Sequence, residues 1–82
     1  MKDKKNLLSR IVIDPKVMVG KPVIKGTRLT VQFVLNLLAQ GASIEDIREE
    51  YKNIEQEDVI ACLLFATKTL DSTVFVPTYL KD

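Results

Sequence analysis

Within ten residues, Val19-Gly20-Lys21-Pro22-Val23-Ile24-Lys25-Gly26-Thr27-Arg28, the chain gathers two glycines, a proline and three cations. Glycine and lysine this close together suit a phosphate cradle, a DNA-contacting ribbon or a solvated hairpin. The cradle fails on spacing. A P-loop needs Gly-x-x-x-x-Gly-Lys-Ser/Thr running directly into a helix, so that backbone amides and the helix end surround the phosphates. Here Gly26 is followed by Thr27-Arg28 and further extended sequence, and Pro22 removes one amide. The ribbon and the hairpin stay open.

Catalytic groups are scarce elsewhere. The chain has no histidine, so the commonest general base and the commonest metal ligand are both missing. Cys62, the one cysteine, lies amid Ala61, Leu63 and Leu64 and reads as a small buried hydrophobe, not a nucleophile. Glu45, Asp46, Glu49 and Glu50, then Glu55, Glu57 and Asp58, fall at helix starts and on solvent faces, where capping and solubility account for them. Asp14 precedes a proline, and turn formation explains it. The expectation is a non-enzyme with no catalytic residue, no metal and no cofactor.

The elements that carry these residues must come from 82 residues, enough for one modest core. An apolar fraction of 46% argues against a disordered polar tract. No apolar run approaches the ~18 residues of a membrane span, and Leu7-Leu8 is too short for a signal-peptide core. A lone cysteine fits a reducing compartment. The expected location is the cytoplasm, with no membrane partner. A net charge of +1 conceals an asymmetry. Residues 1–30 hold eight lysines and arginines against two acids, or +6, and residues 31–82 hold four against nine, or −5. An anionic partner would therefore meet the N-terminal third.

Residues 1–9 read as a flexible basic arm. Ile11-Val12-Ile13, closed by Asp14-Pro15, reads as a brief strand. Pro22-Val23-Ile24 and Thr27-Arg28-Leu29 flank Lys25-Gly26 as a tight hairpin, with Gly26 supplying positive φ. From Thr30 the period becomes helical, with Val31, Val34, Leu35 and Leu38 on one face and Gly41 as the stop. Ser43-Ile44-Glu45-Asp46 opens a second helix as a capping box, with Ile44, Ile47 and Tyr51 inward. A third helix runs from near Glu55 to Leu70. Val59, Leu63, Ala66 and Leu70 form its apolar row, Ile60 and Leu64 lie beside it, and Cys62 and Phe65 fall outside.

A helix apolar nearly all round must be covered on more than one side, which points to a homodimer or a partner chain. Cys62 and Phe65, with Phe75 and Tyr79 of the apolar tail, are the expected interface residues. The tail either docks on its own domain or lies in a partner's groove.

Asp14-Pro15, the core Gly20-Lys21-Pro22-Val23-Ile24-Lys25-Gly26-Thr27-Arg28-Leu29, Gly41-x-Ser43-x-Glu45-Asp46-Ile47 and Glu57-Asp58-Val59 together resemble the prokaryotic domain-of-unknown-function family 433 over residues 10–70. The resemblance implies a mainly α fold: a short N-terminal β-strand or hairpin, then a homeodomain-like, helix-turn-helix-like bundle of three helices. It also implies an antitoxin-like domain at 10–70, between the arm at 1–9 and a tail at 71–82. The function it implies is that of a type II toxin-antitoxin protein that binds an operator in double-stranded DNA and neutralises a PIN-like nuclease toxin. One departure is Glu55-Gln56, where the family has Thr-Pro or Ser-Pro, so Glu55 is a poorer N-cap.

In a helix-turn-helix protein, the last helix reads base edges with its N-terminal residues. Here that end carries Glu55, Glu57 and Asp58, which phosphates repel. The expectation is that Lys21, Lys25 and Arg28 of the β segment contact DNA, helped by Lys4, Lys5 and Arg10 (and Lys2), as a β-ribbon in the major groove. Arg28 has a rival role, pairing with Asp14 to pin the hairpin. Asp14, Gly20, Pro22, Gly26 and Thr27 are expected to set backbone geometry. The alternative function is a protein-interaction or dimerisation module with no nucleic acid.

Overall fold

The computed structural model describes residues 4–72, with side chains from Asn6 onward. Phe75, Tyr79 and the rest of the expected tail lie outside the described residues. The chain runs α1 (Lys4–Leu8), β1 (Ile11–Val12), β2 (Val23–Ile24), α2 (Val31–Ala39), α3 (Ile44–Glu50) and α4 (Gln56–Asp71). Among the described residues it is mainly helical, with one short antiparallel strand pair.

Both ends of α2 and the start of α3 have local chemical causes. Thr30 Oγ1 accepts the Phe33 amide at 3.0 Å and starts α2. At the other end Gly41 takes φ +102°, where a Cβ would be strained. Its amide donates to Leu38 O at 3.0 Å, and the Ala42 amide donates to Leu37 O at 3.0 Å. That pair of reversed bonds closes a helix on a left-handed residue. Ser43 and Asp46 form the expected capping box: Ser43 Oγ accepts the Asp46 amide at 3.0 Å, and Asp46 Oδ2 accepts the Ser43 amide at 2.9 Å. The Ser43 amide, then the Ser43 hydroxyl, hold the Asp46 carboxyl below its usual range.

Ile24, Val31, Val34, Ile47, Ile54, Val59 and Cys62 make the core, so β2 and the last three helices share one apolar centre. Phe33 and Tyr51 add an edge-to-face ring contact at 5.8 Å between the α2 and α3 regions.

Three expectations are corrected. Residues 4–8 form a helical turn packed on α4, with Leu7 buried, not a flexible arm. The strand partner of β2 is β1, in register Ile11 with Ile24 and Val12 with Val23, not Thr27-Arg28-Leu29. Thr27 is unavailable for pairing because its hydroxyl donates to Ile24 O at 2.8 Å and accepts the Leu29 amide at 3.0 Å. The chain still folds back along β2 two residues later, through Ile24 N to Leu29 O at 2.9 Å and a bridge from Val23 to Thr30. Gly26, at φ +81°, sits third in the Ile24–Thr27 turn, the position that demands glycine in a type II turn.

The third correction concerns the expected interface. Cys62 is fully buried in the core and so faces inward, while Phe65 is half-buried against that core and also lines an open groove with Leu35, Ala66 and Leu70. Leu63 and Leu70, from the row expected to pack, are instead 44% and 65% exposed. A helix that is apolar all round gives no periodic signal as to which face turns in.

Candidate nucleic-acid interface

The segment between β1 and β2 is shaped by two local devices. Asp14 Oδ1 accepts the Lys16 amide at 2.9 Å and the Val17 amide donates to Asp14 O at 2.9 Å, turning the chain at Pro15. Met18, Val19 and Gly20 then all take positive φ, at 49°, 57° and 78°, in one left-handed turn. Val19 is 92% exposed at its tip. A β-branched residue in this region is a backbone outlier, held here by bonds from Gly20 N to Val17 O and from Lys21 N to Met18 O, both at 3.1 Å. Pro22 follows and leads directly into β2.

Lys21, Lys25 and Arg28 are exposed, and none of them makes an ion pair among the described residues. Arg28 therefore does not pin the hairpin to Asp14, although both line one shallow concavity of about 500 Å³. The three cations do not converge on one pocket. Lys21 edges an apolar groove against α2 and α4, and Lys25 edges a polar hollow against α1 and the start of α4. Their arrangement is a dispersed set along one chain segment.

Arg10 does not belong to that set. Its Nη1 donates to Glu55 Oε1 at 2.9 Å and to Asp58 Oδ1 at 3.0 Å. The hydrogen bond to Glu55, then that to Asp58, raise the guanidinium above its ordinary pKa. Asp58 is the one buried charged residue among the described residues, and its second oxygen, Oδ2, accepts the Glu55 amide at 2.8 Å. One carboxylate thus caps α4 and ties it to the residue before β1. Arg10, expected to contact DNA, is engaged in this clamp through Nη1. The amino-acid order gives no sign of it, since the partners are 45 and 48 positions apart. Asp58 thus satisfies the Glu55 amide, the half of a capping box that does not depend on the N-cap side chain. Lys4 and Lys5 open α1.

Burial pushes the Cys62 thiol up to about 12, with the Asp58 charge adding to the effect. A thiol so placed is inert as a nucleophile. No helix among the described residues is long and apolar enough to cross a membrane.

Comparison with known proteins places this geometry. A family profile described as "Protein of unknown function (DUF433)" matches residues 11–66. An uncharacterized protein of Archaeoglobus fulgidus is 71% identical over 24 residues, which are 29% of this chain and 67% of that protein. The crystal structure of a DUF433 member protein from Anabaena variabilis superposes with a TM-score of 0.73 at 25% identity, over 82% of this chain. The superposition spans 66% of that crystallised chain, just under two thirds of its length.

Proposed function

The chain belongs to the DUF433 family, and from that premise we propose that it is a cytoplasmic, antitoxin-like DNA-binding protein that also neutralises a PIN-like nuclease toxin. It acts by binding and not as an enzyme. The observation that carries the nucleic-acid half is the set Lys21, Lys25 and Arg28, exposed on one segment and without an ion pair among the described residues, while Arg10 is engaged with Glu55 and Asp58. Cations spread over separate concavities suit a long polyanion better than a small anion, which needs convergent donors. The turns that bear them flank the β1–β2 pair, and a two-stranded ribbon of this kind is narrow enough for a major groove. The Arg10 clamp also draws part of the negative field of Glu55 and Asp58 away from an approaching phosphate.

Fluorescence anisotropy with duplex DNA from the region upstream of the gene, at about 50 and about 200 mM salt, tests this reading. Three phosphates neutralised per chain give a log–log salt slope of about −3, and Lys25→Ala reduces its magnitude by about 1. Absence of any binding at the lower salt would remove the nucleic-acid half. A second reading, a protein-interaction module without nucleic acid, is favoured by the bare Leu63 and Leu70 on α4.

A further inference from the structure

The loop that joins β1 to β2 is built against the usual chemistry of a solvated turn. Positions of positive φ favour glycine, asparagine or aspartate. Here Met18 and Val19 take φ 49° and 57° ahead of Gly20. Of the six large apolar side chains left exposed among the described residues, three fall in this one loop: Ile13, Met18 and Val19. The fold gains from neither feature, since a left-handed β-branched residue is strained and Val19 leaves its side chain to water. Strain of this kind persists where the surroundings over-determine it, and it clusters at binding sites. The surroundings do so here. The Gly20 and Lys21 amides close the turn, and a Cβ on Gly20 would lie 3.8 Å from Pro15 Cα. The tip is held in one shape before any partner arrives, which lowers the ordering cost of a contact.

Its surroundings are cationic. Lys16 and Lys21 flank the tip and are exposed, and Arg28 lines a concavity with Val17. The one acid of the loop, Asp14, has Oδ1 on the Lys16 amide. An apolar point set among cations complements a surface that is anionic around an apolar centre. The major groove of duplex DNA has that form, with phosphates along its rims and the C5-methyl of each thymine at its floor. Cations on phosphates position a protein without reading sequence, whereas an apolar side chain on a thymine methyl reads it. We propose that Met18 and Val19 are the sequence readers of this chain, pressed on thymine methyls while Lys21, Lys25 and Arg28 hold the flanking phosphates. The inference rests on the nucleic-acid reading above and adds to it the side chains that discriminate. An anionic bilayer suits the tip less well, because even a myristoyl chain anchors a protein only marginally and these two side chains are far shorter.

Fluorescence anisotropy of the full chain at about 50 mM salt compares the upstream duplex with the same duplex carrying deoxyuridine for every thymine. That exchange removes the C5-methyl and keeps the pairing and the phosphates. The deoxyuridine duplex should bind about fourfold more weakly or worse, the equivalent of one methyl left unburied. Val19→Gly and Val19→Asn both tolerate the left-handed backbone, so the fold stands, as circular dichroism checks; each brings the two affinities together. Lys25→Ala weakens both duplexes alike and leaves their ratio unchanged. Equal binding of the two duplexes by the parent chain overturns this inference and leaves the nucleic-acid reading in place. A ratio that survives in both Val19 variants also overturns it, because the methyls would then act through DNA shape. So does binding to phosphatidylserine vesicles that Val19→Gly abolishes with DNA affinity unchanged. Binding to neither duplex removes the nucleic-acid reading, and this inference with it.

Discussion

Replacing Val19 with glycine tests whether the left-handed turn before β2 stores strain. Val19 has φ 57° and ψ 37°, flanked by Met18 at φ 49° and Gly20 at φ 78°. In this region the Cβ crowds the following carbonyl, at a cost of roughly 1–2 kcal/mol per residue. Glycine removes that crowding but has more freedom to lose on folding, which takes back about 0.4–1 kcal/mol. The valine side chain is 92% exposed, so little packing is forfeited. The balance is a net stabilisation of about 0.5–1 kcal/mol. In a domain of this size it raises Tm by about 2–8 °C. Urea unfolding followed by circular dichroism should show a higher midpoint with an unchanged slope. Val19→Ala keeps the Cβ and should recover little of the gain. Equal midpoints for Val19→Gly and the parent chain would refute the argument, because no strain would then have been relieved.

Two further perturbations probe the core. Cys62 should resist thiol reagents at pH 8 until denaturant opens the fold, since it is fully buried and its thiol is pushed up to about 12; rapid labelling of the native chain would show that the α4 packing is wrong. The unfolded thiol, with an ordinary value of 9.0, ionises first on raising the pH, so stability should fall between pH 9.0 and about 12, by at most about 1.4 kcal/mol per pH unit. Denaturation curves of the parent and Cys62→Ala over that window isolate this contribution. Ile47→Ala, at a site 2% exposed between α3 and the core, should cost about 2–5 kcal/mol in urea unfolding, a large share of the stability of so small a domain. A loss below about 0.5 kcal/mol, the usual bound for surface sites, would mean that Ile47 does not anchor α3.

Where a feature depends on residues close in sequence, it could be read without coordinates. Thr30, Gly41, Ser43 and Asp46 bound α2 and α3 because a cap is a bond between groups three or four residues apart. The turn at Asp14-Pro15 and the positive φ of Gly26 have the same local origin. The seven core residues were less legible on α4, where the apolar pattern pointed outward to Leu63 and Leu70 as readily as inward to Cys62 and Phe65.

The sequence by itself determined the mainly helical architecture, the caps and the concentration of cations in the first 30 residues, since all three follow from short-range bonding and residue type. Tertiary structure alone decided that Arg10, among those cations, is paired within the fold. Arg10 meets Glu55 and Asp58 only because the backbone brings the residue before β1 against the start of α4, and no spacing along the chain encodes a contact across 45 residues. It likewise decided which side of α4 is bare, because that depends on what the rest of the chain has left uncovered.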